Sequence, residues 1–147
     1  CADLGAEKVI NYQKEDFHSA VLKYTKNYGV DLILDMVGGD YFEKNIDLLT
    51  EEGRLVMIAF LRGNKVTLDL SQIMLKRILL TGSTLRPRSD IFKSEIASEL
   101  KNQVWPLLEN RKIKLYIDNI YEFKNFREAH KRMEESNHIG KIILSLD

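Results

Sequence analysis

The sequence predicts an α/β protein built on a doubly wound parallel sheet. Strand-like and helix-like runs alternate along the chain, at spacings that suit crossover helices rather than hairpins. Two of the strand runs, "VDLILDMVGG" (30–39) and "RLVMIAF" (54–60), are apolar at consecutive positions instead of alternate ones. A strand that is apolar on both faces is expected to be covered on both, as in a parallel sheet.

Each element has its own local signal. "LGAEKVINY" (4–12) reads as the end of a helix running into a short β-branched strand, Val9 to Tyr12. In "KEDFHSAVLKYTKNYG" (14–29), Phe17, Ala20, Val21, Tyr24 and Tyr28 recur at helical spacing. Glu15 and Asp16 suit the positive end of that helix and Gly29 its left-handed stop. The strand around Leu32, Ile33 and Leu34 follows. Asp40 and Glu43 then form a capping box over a helix whose buried stripe is Phe42, Ile46 and Leu49, with Gly53 expected to end it. "RLVMIAF" is the next strand, a short helix covers Leu70 to Lys76, and "ILLTGSTL" (78–85) is a third two-sided strand.

From Asp90, the positions Phe92, Ile96, Leu100, Val104, Leu107 and Leu108 mark a long amphipathic helix, and Pro106 inside it predicts a kink or restart. "YIDNIYEF" (116–123) is a strand. Asn125 and Glu128 suggest a second capping box over a helix carrying Phe126, Ala129 and Met133, and the chain closes on the strand "GKIILSLD" (140–147).

Composition narrows the function. At 147 residues the chain can bury one core, and 44% hydrophobic with 30% charged residues is the profile of a folded, soluble domain. Twenty-two basic residues balance twenty-two acidic ones, so no net field draws nucleic acid or an anionic membrane. Cys1 is the only cysteine, which leaves no intrachain disulfide and no site needing two thiolates. His18, His130 and His138 show no metal-ligand spacing, and no metal is expected. The longest strongly apolar run, Leu55 to Leu61, is too short to span a bilayer, and a cytoplasmic protein is expected.

In an open parallel sheet, ligands bind beyond the carboxyl ends of the strands. The residues there are Asn11 and Tyr12, then Asp35 to Gly39, then Ala59 to Leu61, then Ser83 to Arg86. Tyr12 could stack on an adenine or sit as an ordinary half-buried tyrosine. Gly38 and Gly39 could bring backbone close to a ligand or simply make the turn. Asp35 could bond a ribose hydroxyl or a backbone amide. Arg86, stiffened by Pro87, could pair with a phosphate or carboxylate, or lie solvated beside Arg88. No Ser, His and acid constellation is present, and the phosphate-holding loop GxGxxG does not occur in the 147 residues.

Four blocks in this order, "LGAEKVINYQKEDF", "GVDLILDMVGGDYFEKNIDLLTEEGRLVMIAFLRG", "LLTGSTLRPRS" and "EFKNFREAHKRMEESNHIGKIIL", resemble the second half of a zeta-crystallin-like NADPH:quinone oxidoreductase of the medium-chain dehydrogenase/reductase superfamily. The likeness is closest to the tumour-suppressor-inducible quinone oxidoreductases. It implies a partial Rossmann cofactor domain over residues 1–112 lacking its first two strands. Residues 113–147 would be a strand–helix–strand segment that returns to a GroES-like catalytic domain.

By position, Tyr12 matches the tyrosine lying against the adenosine 2′-phosphate of NADPH, and Gly38 and Gly39 match the turn near the cofactor ribose. Ala59, Phe60 and Leu61 match the loop reaching toward the nicotinamide, and Thr84, Leu85 and Arg86 the segment on its other side. Asn137 stands where some relatives carry an arginine for the 2′-phosphate.

The implied activity is hydride transfer from NADPH to a quinone-like small molecule or a related electrophilic carbonyl or alkene. The alternatives are a half-Rossmann interaction module that binds no nucleotide and, less compatible with the "EAH" helix and the closing strand, a methyltransferase. In the strand order 3-2-1-4-5-6 the two implied upstream strands lie between Val9–Tyr12 and "VDLILDMV". That leaves an apolar edge which either the Val9–Tyr12 segment or a second copy of the chain is expected to cover, so a homo-oligomer through exposed sheet edges is expected.

Overall fold

The computed structural model describes residues 1–146. The first elements are α1 (Phe17–Tyr24), β1 (Val30–Asp35), α2 (Tyr41–Leu48), β2 (Leu49–Met57), α3 (Leu70–Lys76) and β3 (Leu79–Gly82). They are followed by α4 (Asp90–Glu99), a π-helical turn over Leu100–Val104, α5 (Trp105–Glu109), β4 (Ile117–Glu122), α6 (Phe126–Glu134) and β5 (Lys141–Ser145). All strand pairs are parallel: β1-β2-β3 form one sheet and β4-β5 another. The chain divides into two compact units, Cys1–Pro87 and Arg88–Asp147. The architecture is therefore α/β with parallel sheets.

The first unit is centred on Phe42, Ile46, Leu49, Leu55 and Ile78, with Val30, Ile33, Met57, Leu68 and Ile73 packed around them. Leu55 has no exposed surface, and burying a leucine side chain fully stabilises by about 2–3 kcal/mol. Residues paired across parallel strands share a face, so Ile33, Leu55 and Leu80 point one way and Leu34, Val56 and Thr81 the other. The first face lies under the helices. The expectation of cover on both faces is corrected here: Leu32 is 62% exposed and Leu34 64% exposed, so the second face of β1 is open.

The expected strand Val9 to Tyr12 is also corrected. The segment is irregular and joins no ladder, and β1 is an edge strand of its sheet. A β-branched run favours extended backbone, but a strand also needs a partner. Of the two covers anticipated for the β1 edge, the Val9–Tyr12 segment does not supply one.

Three local signals act differently from their sequence reading. The first helix ends at Tyr24 with Thr25 as its C-cap, four residues before Gly29. Gly29, at φ 90°, instead turns the chain across the end of α2, where a Cβ would lie 2.4 Å from the Leu48 carbonyl oxygen. Gly53 does not end α2, which stops at Leu48. It sits in an irregularity of β2, where register jumps from Val30↔Leu49 to Leu32↔Arg54 and Glu52 takes φ 60°.

Neither capping box closes. Asp40 and Asn125 both precede their helices without a side-chain cap bond, because neither has the extended backbone that aims an N-cap side chain at the first turn. Asp16, Asp69 and Ser89 do have it, and they accept from the amides of Ser19, Ser71 and Phe92.

In the second unit the long helix breaks as Pro106 predicts. The Trp105 amide reaches back to the Leu100 carbonyl, a π-type bond, just before the proline that has no amide to donate. Beyond it, β4, α6 and β5 form a βαβ unit. Arg132 on α6 makes a two-pronged bond to Asp118 on β4, 3.0 Å at each prong, and the Ile139 amide donates to the same carboxylate.

Candidate functional site

The three parallel strands of the first unit end together, and a cleft of about 540 Å³ opens there. Its lining comes from the turn after β1 (Gly38, Gly39), from Phe42 on α2, from Met57 and the following loop (Phe60, Gly63, Asn64, Val66, Leu68), and from Leu80, Thr81 and Gly82. The walls are chiefly apolar, with a few polar groups at the rim, which is how sites for flat organic ligands are built.

Two loops make this cleft, and they are laced together through backbone. The Ile58 amide donates to the Asp35 carbonyl at 2.8 Å, Leu61 to Met36 at 3.1 Å, Arg62 to Val37 at 2.8 Å, and Gly39 to Gly63 at 3.0 Å. Both glycines of the first loop are left-handed, Gly38 at φ 65° and Gly39 at φ 55°. A Cβ on them would lie 2.6 Å from the Gly63 oxygen and 2.5 Å from the Arg62 oxygen. The glycines therefore serve the approach of one loop to the other, a close contact that only a residue without a side chain allows.

The Asp35 side chain anchors the turn from below. It is 4% exposed, and it accepts from the Val37 amide at 2.6 Å, from the Gly38 amide at 3.2 Å and from the Asn45 side-chain amide at 3.1 Å. Of the two readings left open for this aspartate, the backbone-amide one describes its contacts. Asn45 and Gly63 support the site and carry no signal in the sequence, because their importance arises from pairing across 10 to 25 positions.

The structure brings Gly38, Gly39 and Phe60 to one cleft, with Ala59 and Leu61 in the same loop. Tyr12 is not among the lining residues. It is 64% exposed and meets Tyr41 edge-on with 6.4 Å between ring centroids, while Tyr41 stacks on Phe17 at 4.7 Å and carries the Arg62 guanidinium 5.4 Å above its ring. Asp40 pairs with Arg62 at 3.4 Å, so this small aromatic and charged row flanks the start of α2. Thr84, Leu85 and Arg86 lie exposed beyond the end of β3 and do not line the cleft; Leu80 to Gly82, just before them, do.

Charges near the site are local. Lys44 and the Ser19 amide hold the Asp16 carboxyl down at about 2, securing the start of α1. No three His, Cys, Asp or Glu side chains gather at metal-binding distance among the described residues, and no helix among them is long and apolar enough to cross a membrane.

Comparison with known proteins fits this architecture. The chain is 27% identical over 146 residues to quinone oxidoreductase-like protein 2 of Bos taurus, covering 97% of this chain and 40% of that protein. A zinc-type alcohol dehydrogenase-like protein of Schizosaccharomyces pombe is 28% identical over 145 residues, covering 98% of this chain and 40% of that one. Among solved structures, the Escherichia coli quinone oxidoreductase complexed with NADPH superposes with a TM-score of 0.80 at 26% identity, over 95% of this chain and 43% of that one. The chain thus spans about 40% of the length of the curated relatives it matches. The sequence profile of the zinc-binding dehydrogenases matches residues 4–144, and on that match, made over nearly the whole chain, the protein belongs to the zinc-binding dehydrogenase family.

Proposed function

We propose that this chain is the cofactor-domain portion of an oxidoreductase that carries hydride from NADPH to a quinone or a related electrophilic carbonyl or alkene. Residues 1–112 would be the partial Rossmann domain, and 113–147 the segment associated with the catalytic lobe. The observation that carries the reading is the strand-end cleft walled by the laced turn after β1 and the Phe60–Gly63 loop. It lies where parallel α/β sheets hold nucleotides. Its apolar walls fit the flat nicotinamide end of such a cofactor.

Phe60 and Leu61 would face the nicotinamide, Gly38 and Gly39 the ribose, and Tyr12 the 2′-phosphate, with Thr84 to Arg86 closing the far side. NADPH supplies the hydride when bound; this chain's part is to hold and orient it and to keep water from the apolar wall. Zinc, which the family name carries, has no ligand set among the described residues, and nothing proposed for this chain depends on it. The same reading has the chain working in the cytoplasm on a small-molecule acceptor, without nucleic acid or membrane, and pairing with a second copy through exposed sheet edges.

One feature favours the alternative of a module that binds no nucleotide: the absence from these 147 residues of the glycine-rich pyrophosphate loop. Calorimetric titration of the chain with NADPH and then NADH separates the two. Saturable binding that prefers NADPH supports the oxidoreductase reading. A chain that takes up neither nucleotide supports the module.

A further inference from the structure

Asp35 is a buried carboxylate that does not line the cleft, and the reading above gives it no part in the chemistry. Its partners show what it does. One oxygen takes the Val37 amide at 2.6 Å, and the other takes the Gly38 amide at 3.2 Å and the Asn45 amide group at 3.1 Å. Asn45 is 5% exposed and projects from α2, whose neighbouring residues Phe42 and Ile46 are fixed in the core. The carboxylate thus ties the turn after β1 to the most deeply buried helix of this unit. That turn in turn holds the Phe60–Gly63 loop through the amides of Gly39, Leu61 and Arg62.

The chain of contacts runs in one direction without a gap: helix, Asn45, Asp35, glycine turn, cleft wall. Neither Asp35 nor Asn45 lines the cleft. Loops that carry no regular structure of their own keep a fixed shape only when something rigid holds them, and a wall displaced by an ångström is enough to spoil a bound geometry.

We infer that Asp35 and Asn45 form a buried tether that positions the cofactor-facing wall of the cleft, making them positioning residues for nicotinamide nucleotide binding. The inference rests on the cofactor reading of this cleft.

The test is a reciprocal swap. Asn45→Asp sets two carboxylates against each other 3 Å apart and should open the tether. Adding Asp35→Asn to it restores the link to α2 with the roles exchanged: the new amide oxygen at 35 accepts from the Val37 amide and, at 3.3 Å, from the Gly38 amide, while its NH2 group donates to the new carboxylate at 45. Two readouts are taken on the full 147-residue chain: hydrogen exchange at the Gly39, Leu61 and Arg62 amides, and the NADPH dissociation constant by calorimetry. The expected result is faster exchange at those amides and roughly tenfold weaker NADPH binding in Asn45→Asp, the order of one hydrogen bond to a charged group, with both restored in the double variant. If Asn45→Asp does not fold, Asn45→Ala, which removes one donor and leaves the turn amides in place, replaces it.

Unchanged exchange, or NADPH affinity that survives the loosened loop, overturns the positioning role and leaves the cofactor reading intact. A wild-type chain that binds no nicotinamide nucleotide overturns the cofactor reading and the positioning role together. A double variant that folds but recovers neither readout also overturns the tether, since the effect would then be general damage to the core.

Discussion

Lys76 is the side chain whose removal tests the packing argument most sharply. It sits at the end of α3, and its ammonium donates to the carbonyls of Ile46 at 3.2 Å, Asp47 at 2.7 Å and Leu49 at 3.0 Å. A helix leaves its last four carbonyls without intrahelical partners, and here three N–H groups meet three carbonyls at the end of α2. Replacing the lysine by methionine keeps the stem and its packing and removes all three donors.

A hydrogen bond to a charged group is worth about 1.5–3 kcal/mol, and the favourable placement of a cation at a helix carboxyl end adds roughly 0.3–1 kcal/mol. These terms do not sum, because the exposed Asp47 carbonyl recovers water when the ammonium leaves and only the two half-buried ones stay unsatisfied. The expected loss for Lys76→Met is about 2–3 kcal/mol, or roughly 5–10 °C in Tm. Urea unfolding followed by far-ultraviolet circular dichroism measures it. Lys76→Arg should lose part of the same amount, since a planar guanidinium cannot place three donors on three converging carbonyls. A methionine variant within about 0.5 kcal/mol of wild type, the range of ordinary surface changes, would refute the argument.

Other outcomes follow from the same geometry. Gly39→Ala forces a side chain to within 2.5 Å of the Arg62 oxygen at a left-handed φ, and should cost about 2 kcal/mol or more together with nucleotide binding, read by thermal unfolding and calorimetry. In the second unit, Arg132 and then the Ile139 amide lower the Asp118 carboxyl below its ordinary range. A depressed carboxyl stabilises above its unfolded value and ceases to do so as pH falls through its folded one, so Asp118→Asn should flatten the loss of stability below about pH 4 while lowering stability at neutral pH, measured by unfolding at stepped pH. Tyr12→Ala should reduce any preference for NADPH over NADH in calorimetric titration and leave the unfolding midpoint nearly unchanged, because the tyrosine is mostly exposed.

The sequence carries much of this fold, and where it misleads, the reason is tertiary. The two-sided apolar runs correctly announce parallel strands, and the short helix Leu70 to Lys76 falls where its period puts it. Val9 to Tyr12 has the residues of a strand but no neighbour to pair with in this chain. Asp40 has the residue type of a cap but helical backbone, and its carboxylate turns to Arg62 instead.

The glycines at 38 and 39 are legible as a turn. That the turn is built to receive a second loop depends on Arg62 and Gly63, more than 20 positions on, and no local pattern encodes that approach. Asn45 is the clearest case. It reads as one more polar residue on an amphipathic helix, and only the fold places it beneath Asp35.

The π-turn between α4 and α5 has a consequence for how this region can change by insertion and deletion. Such a turn holds one residue more than the α-helix it interrupts, so removing a single residue from Leu100–Val104 would restore regular winding and leave the residues after it facing nearly as they do now. Pro106 opposes the shortened version, since regular winding would ask it for an amide it lacks. The extra residue and the proline are thus bound to be kept or lost as a pair, and a homologue with an unbroken helix here should lack both.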